Sequence, residues 1–518
     1  MTMAESKQCK NGDERLTLDE MKSFLWNAAT HLRGQIDATG YKEFIFPLLF
    51  FKRISDVYDE QYSGFVAEGE GDYEYANEQM REMPIQIPEG SHWNDVRQVT
   101  EDVGQALVNA FTAIERANPP RIENGRRVGG LTGIFGPKGD WTNKAKMPDE
   151  IILSLIEDFS KHTLSLASCP ADEMGQAYEY LIGKFADDAG HTAQEFYTNR
   201  TIVELMAELL QLQPDESLYD PTCGSGGMLV KSLDYLRKQD HEWRGVKVFG
   251  QELDAITSSI ARMNLFLNGV TDFSIEVGDT LAAPAFLEGS QLRTFDMVLA
   301  NPPYSIKSWN RTAFENDKFG RNFLGVPPQG RADYAFIQHI LKSMDPRTGR
   351  CAILLPHGVL FRKEEEEIRR NLIKADLLEA VIGMGPNLFF NSPMEACILV
   401  CRSQKPEELK NKVIFINALK EVTRKNGESY LEPEHIAKIL SAYRERKVED
   451  KFSTITFTED IAGNNYNLNI PLYVNALEGE YVSDVLSKEE AYATWMEQHE
   501  SVMNIFSTLN NLLSHEVE

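Results

Sequence analysis

The chain has 518 residues, 42% of them hydrophobic and 25% charged, an ordinary globular composition with room for two to four domains. No apolar run approaches the ~18 residues that a membrane helix needs, and the polar, charged opening 1–15 has the form of neither a signal peptide nor an anchor, so a cytoplasmic protein without membrane contacts is expected. A net charge of -26 argues against a chain that neutralises many phosphates alone; if nucleic acid is the substrate, a partner must supply much of the affinity.

Six scattered cysteines, with no CxxC pair and no clustering with histidine, point to a reducing compartment and to no metal site. Cys397 and Cys401 sit in a strand-like run and read as core.

In chain order, Thr17-Leu18-Asp19-Glu20 has the form of a capping box, and Met21, Leu25, Ala28 and Leu32 follow at helical spacing. Phe44, Leu48, Phe51 and Ile54 mark a second helix, and helical patterns return over 149–160 and 175–185. The first 165 residues or so therefore read as an all-helical domain. It is interrupted by a basic loop, 119–147, in which Arg121, Arg126, Arg127, Lys138, Lys144 and Lys146 face only Glu123 and Asp140. Such a loop can contact phosphate or simply be solvated. Next, Glu195-Phe196-Tyr197-Thr198-Asn199-Arg200 leads into Thr201-Ile202-Val203-Glu204, a second capping-box pattern. The loop is placed either to lie over a ligand or to pack.

Strand-like runs at 217–220, 246–251, 273–277 and 295–300 then alternate with helical stretches at 227–236 and 255–267, which implies βαβ units and a parallel sheet. Runs at 351–355, 378–382, 396–401 and 413–417 extend it. The fold class is α/β.

Ligands of such sheets collect beyond the carboxyl ends of the strands, where this chain concentrates its chemistry. The first strand runs into Asp220-Pro221-Thr222-Cys223-Gly224-Ser225-Gly226-Gly227. This GxGG turn lacks the GxGxxG spacing of dinucleotide enzymes, and its leading acid repels pyrophosphate but can accept from an ammonium group. A nucleoside joined to an amino acid fits it better than NAD. Glu252 ends the second strand, where a carboxylate can take both ribose hydroxyls, and Asp279 ends the third, where it can meet an adenine amine. The fourth ends in Asn301-Pro302-Pro303-Tyr304, a stiff turn with an amide oxygen, an available carbonyl and an aromatic face, suited to a planar base with an exocyclic amine.

With these segments in this order, the chain resembles S-adenosylmethionine-dependent amino-methyltransferases. Over nearly its whole length it is similar to the modification subunits of type I restriction-modification systems, which are adenine-N6 DNA methyltransferases. The resemblance rests on 41–56, 195–200, the DPxxGxG turn, NPPY, Asp333-Tyr334-Ala335-Phe336, Ile353-Leu354-Leu355-Pro356 and Tyr466-Asn467-Leu468-Asn469-Ile470-Pro471. One departure stands out: Tyr197-Thr198-Asn199 replaces the family's usual Phe-Thr-Pro, which loosens the argument for a rigid edge there.

The resemblance implies a helical N-terminal domain over 1–165, a Rossmann-like methyltransferase domain over 166–475 and a helical tail over 476–518. It implies S-adenosylmethionine held by Glu195, Phe196, Tyr197, Thr198, Asn199, Arg200, Asp220, Thr222, Gly224, Ser225, Gly226, Gly227, Glu252 and Asp279. Catalysis would fall to Asn301, Pro302, Pro303 and Tyr304 on an adenine flipped from DNA. A specificity subunit, a second modification subunit and a motor-nuclease subunit are the implied partners. In the tail, Trp495, Val502, Phe506, Leu509 and Leu513 form a stripe for a helical partner or an intrachain core. Glutamine-N5 or RNA methylation, and a non-catalytic scaffold that retains the cofactor fold, stand as alternatives.

Overall fold

The computed structural model describes residues 15–30, 42–123, 125–189, 199–386, 388, 395–425 and 428–474. The tail 476–518, with its apolar stripe, and the loop residues Glu195, Phe196, Tyr197 and Thr198 lie outside them.

The second half of the chain is built on one large sheet, whose strands we number β1 (Ser217–Asp220), β2 (Lys247–Glu252), β3 (Phe273–Val277), β4 (Met297–Ala300), β5 (Arg350–Pro356), β6 (Leu378–Met384), β7 (Ala396–Arg402), β8 (Lys412–Ala418) and β9 (Ser453–Phe457). Their order across the sheet is β3-β2-β1-β4-β5-β7-β6-β8-β9. Alternation along each strand sends side chains to two opposite cores: Leu218, Met297, Leu299, Ala352 and Leu354 to one, and Tyr219, Val298, Ala300, Cys351 and Ile353 to the other. Both faces are covered, which is why β4, β5 and β6 read as continuous apolar runs rather than alternating ones. Cys397 and Cys401 are core residues.

The expectation of a wholly parallel sheet needs correcting. Strands β1 to β6 and β8 run parallel, but β7 lies antiparallel between β5 and β6, and β9 runs antiparallel at the far edge. The link from Met384 to Ala396 is too short to carry a crossover helix, so the chain must return in the opposite sense. The edge strand β9 also escapes the sequence reading.

The N-terminal part is a layer of helices, among them Leu18–Thr30, Lys42–Glu68, Val103–Ala117, Asp149–Phe159 and Ala171–Ala189. The expected capping box opens the first: Thr17 N donates to Glu20 Oε2 at 2.8 Å, and Glu20 N to Thr17 Oγ1 at 3.3 Å. The core of the layer is aromatic, with Phe111 and Phe135 stacked at 4.2 Å. Ile260, Met263 and Leu267 of the helix Ala255–Leu267 belong to the same core, so the helical layer is seated on the sheet domain by apolar burial.

The basic segment is neither purely a loop nor largely solvated. Arg121–Glu123 and Arg126–Val128 form a hairpin, and the chain after it docks on the edge strand β3, with Gly129 N donating to Phe273 O at 2.8 Å. Arg126 pairs with Asp272 at 2.6 Å, Lys138 with Glu115 at 2.7 Å, Lys144 with Asp102 at 2.5 Å and Lys146 with Asp140 at 2.5 Å. Arg262 reaches back to the carbonyls of Thr132 and Gly130 at 2.6 and 3.0 Å. The segment thus joins the helical layer to the sheet through Gly129, Arg126 and Arg262, while Lys138, Lys144 and Lys146 are paired within the helical layer and the segment itself. No helix among the described residues is long and apolar enough to cross a membrane.

Candidate active site

From β1 the sheet continues to β2 and β3 on one side, and to β4 and β5 on the other. The carboxyl ends of β1 and β4 therefore flank the crevice that forms wherever strand order reverses. A cleft opens there, and its wall includes Asp220, Thr222, Gly224, Ser225 and Gly227 from the glycine turn, Asn301 just after β4 and Arg200 from the helix Arg200–Leu210. Seven of the residues singled out in the sequence thus share one cavity.

The turn is held from several sides. Gly224 and Gly226 have φ of 53° and 78°, a left-handed conformation that glycine takes without penalty. Glu252 Oε2 accepts from Gly224 N at 3.0 Å and its Oε1 from Asp254 N at 2.9 Å, while Asn264 Nδ2 donates to Ser225 O at 3.0 Å. Glu252 therefore fixes the glycine turn, and burial raises its pKa. Asp220, 1% exposed, accepts from Thr222 N at 2.9 Å, and burial pushes its carboxyl up to about 7. Asp279, exposed at the end of β3, accepts from Leu281 N and Ala282 N at 2.8 and 3.1 Å and so opens the following turn.

At the departure from the family pattern, Asn199 is the cap of the helix Arg200–Leu210. Its Oδ1 accepts from Thr201 N at 3.0 Å and from Thr201 Oγ1 at 2.7 Å, and its Nδ2 donates to Ser429 O at 2.8 Å. The amide supplies by hydrogen bonding the order a proline would supply by its ring. The helix starts at Asn199 rather than at the expected Thr201 box, whose hydroxyl also accepts from Leu431 N at 2.9 Å.

Asn301 and Tyr304 meet directly: the Tyr304 hydroxyl donates to Asn301 Oδ1 at 2.6 Å. Tyr304 is half-buried, and desolvation pushes its phenol up, so it remains a donor. Pro302 is buried beneath them. The turn is anchored from below by Asp333, 1% exposed, whose Oδ1 accepts from Ser305 N at 2.7 Å and whose Oδ2 pairs with Arg362 at 2.6 Å. This gives the Asp333-Tyr334-Ala335-Phe336 segment a physical role that its sequence did not disclose. Asp333→Asn should remove the closer of Arg362's two ionic partners, leaving Glu365 at 3.8 Å, and loosen the turn. We expect kcat to fall more than about tenfold, with the cofactor Kd held within about twofold, read by single-turnover kinetics and calorimetry.

The cleft also contains residues the sequence reading passed over. Glu179, from the helix Ala171–Ala189, and Lys231, from the helix Gly227–Arg237, line it together with Ile182, Val203 and Met228. The sequence showed only a helical pattern over 175–185; an acid set between Tyr178 and Leu181, which the fold buries, was the available signal.

The family comparisons agree with this geometry. Residues 170–481 match the family described as N-6 DNA Methylase, and residues 21–159 match the HsdM N-terminal domain. The MjaVIII methylase subunit of a type I restriction enzyme from Methanocaldococcus jannaschii is 31% identical over 96% of this chain and 86% of its own length. The MpnII methylase subunit of Mycoplasma pneumoniae is 27% identical over 87% and 88%. This chain belongs to the N-6 DNA methylase family. The crystal structure of a type I restriction-modification methyltransferase subunit from Streptococcus thermophilus superposes with a TM-score of 0.76 at 29% identity, covering 89% of the methylase and all of that chain. The methylase is thus an adenine-specific DNA methyltransferase of the type I restriction-modification kind, and its methyl donor is S-adenosylmethionine. Glutamine-N5 and RNA methylation, and a non-catalytic scaffold, are set aside. The cleft suits such a donor: buried and without hydrogen-bond partners in its wall are both carboxylate oxygens of Glu179, Arg200 Nε and Thr222 Oγ1, a mixed set of acceptors and donors beside apolar Ile182 and Val203.

Proposed function

We propose that this chain is the modification subunit of a type I system, and that the cleft between β1 and β4 holds S-adenosylmethionine while the Asn301 turn presents a flipped adenine to it. When bound, the cofactor supplies a methyl group on a sulfonium, open to attack by the adenine amine. Asp220, Thr222, Gly224, Ser225, Gly226 and Gly227 would surround the amino-acid part, with Glu252 and Asp279 toward ribose and adenine. Glu195, Phe196, Tyr197, Thr198, Asn199 and Arg200 would close the near edge.

Asn301 Oδ1 and the carbonyl of Pro302 would accept the two amine hydrogens, drawing the nitrogen lone pair out of conjugation with the ring. Tyr304 would exchange its hydrogen bond to Asn301 for a stacking contact with the base, so the present Tyr304–Asn301 contact is the resting state of the turn. Positioning and preformed acceptors supply the rate, and no covalent enzyme intermediate is required. Proline at 302 and 303 holds those acceptors still.

We place target choice outside this chain, in a specificity subunit, with a second modification subunit and a motor-nuclease subunit as further partners, all in the cytoplasm. The net charge of -26 favours that division, because a chain so acidic needs a partner to hold DNA. The tail 476–518 is the segment we assign to such a partner. The observation that carries the reading is the meeting of Asn301 with the acid-led glycine turn in one cavity. Labelled-methyl transfer to DNA, assayed with and without a cognate specificity subunit, tests it. Site-specific N6-methyladenine is expected only with the subunit present; site-specific methylation by the isolated chain would overturn the partner assignment, and no transfer in the complex would overturn the reading itself.

A further inference from the structure

Glu179 stands out among the buried acids of the cleft. It is 6% exposed, and neither carboxylate oxygen has a hydrogen-bond partner. Burying an ionised carboxylate without hydrogen bonds is costly, and such a group is retained where something else completes it. Two cations stand near without filling that role. Arg200 Nη2 lies at 3.4 Å and Lys231 Nζ at 3.8 Å from Glu179 Oε2, close enough for charge attraction but outside hydrogen-bonding geometry. Lys231 spends its hydrogen bond on Asp234 at 2.8 Å. Arg200 is incomplete in the complementary sense, because its buried Nε has no acceptor. An orphaned acceptor and an orphaned donor, neighbours in one wall, describe the mould of a group bearing both signs.

We infer that Glu179 and Arg200 read the zwitterionic head of the S-adenosyl cofactor, Glu179 accepting from its ammonium and Arg200 donating through Nε to its carboxylate. This rests on the cofactor reading of the cleft and sharpens it. An ammonium has three donors, and the two oxygens of Glu179 offer it acceptors beyond those of Asp220. A carboxylate lacking the amine would leave Glu179 unpaired, and an amine lacking the carboxylate would leave Arg200 Nε unpaired. Both residues are preset by their surroundings. The Glu179 helix is fixed through its buried neighbour Tyr178, whose hydroxyl reaches Ile260 O at 3.4 Å, and Arg200 follows directly on the Asn199 cap.

Calorimetry on the full chain decides the matter with four ligands: S-adenosylhomocysteine, its deaminated analogue, its decarboxylated analogue and 5′-methylthioadenosine, which lacks the amino-acid head. Wild type should bind the first at least about tenfold more tightly than either analogue. In Glu179→Gln the preference for the amine should collapse while the preference for the carboxylate persists; Arg200→Gln should show the mirror pattern. Methylthioadenosine should bind all three proteins alike. Retention of the amine preference in Glu179→Gln, or a parallel loss for all four ligands, would overturn the inference. So would equal wild-type affinity for S-adenosylhomocysteine and its deaminated analogue, a comparison that needs no variant. If methylthioadenosine and the other three all fail to bind wild type, the cofactor reading falls and carries this one with it.

Discussion

Asn301→Ala should lower the rate of methyl transfer at least about a hundredfold while leaving the Kd for S-adenosylmethionine within about threefold of wild type. Asn301 follows directly on β4, a strand with every residue buried, and is itself followed at once by two prolines, so its backbone has little freedom to compensate. Its side chain offers an acceptor where the amine of a flipped base would build up positive charge, and alanine offers none. The acceptors and donors proposed for the cofactor belong to other elements, chiefly the turn after β1 and the helices carrying Glu179 and Arg200, so binding should survive. A competing explanation is that the variant merely breaks the 2.6 Å contact with Tyr304 and collapses the turn. Tyr304→Phe breaks the same contact and keeps both the ring and the amide oxygen, so it should retain activity within about tenfold. Single-turnover assays of the two variants in the reconstituted complex, with calorimetry for the cofactor, separate these cases. Equal losses in both would remove Asn301 from the role of acceptor.

How far the site was legible in the sequence follows from how far apart its parts lie along the chain. The glycine turn and its leading acid are contiguous, and their meaning is local: an acid, positive-φ glycines and a helix start can be read together. Asn301 was legible for the same reason, as a polar residue where an apolar run meets two prolines. Glu179 belongs to a helix that packs into the core of the N-terminal layer, more than 40 residues before the glycine turn, and only the folded chain brings it to the cleft. Periodicity can mark a face as buried but cannot say that one member of that face is an acid whose oxygens make no hydrogen bond.

The basic segment shows the converse failure. Composition counted six cations against two acids and left phosphate contact and solvation open, but the partner of Arg126 is Asp272, 146 residues away, a pairing that local charge balance cannot reveal. Strand direction does not show in the composition of β7, which is apolar on both faces whichever way it runs; the short link from Met384 to Ala396 was the available signal. Asn199 illustrates a loss that turned out to be a substitution of mechanism: the missing proline removes a ring constraint, and the amide restores order through three hydrogen bonds.

Asp220→Asn should make the folded chain more stable above pH 7 and a worse binder of its cofactor. Burial moves the Asp220 carboxyl from its ordinary value of 3.8 to about 7, because an ionised group there loses its water and faces Glu252 as well. Between those two values the folded chain holds a proton that the unfolded chain has released, so stability falls as pH rises across that window. Above about 7 the deficit is complete, on the order of 4 kcal/mol. Asparagine keeps the shape and can still accept from Thr222 N, but it never ionises, so the variant escapes the deficit. Urea denaturation should therefore give similar stabilities for the two proteins near pH 4 and a clear advantage to the variant at pH 8.

Binding should move in the opposite direction, because the ionised carboxylate that burdens the fold is the one proposed to attract a cationic head. Wild-type affinity should tighten as pH rises from about 5 to 7 and then level off, while the variant should be flat over that range and at least about tenfold weaker at pH 8. If the variant were no more stable at pH 8, the carboxyl would not be raised. If it bound as tightly as wild type, the acid heading the glycine turn would be part of the fold and not of the cofactor site. The pairing of the two measurements matters, because a residue kept for structure alone would have no reason to cost the fold stability at the pH where the enzyme works.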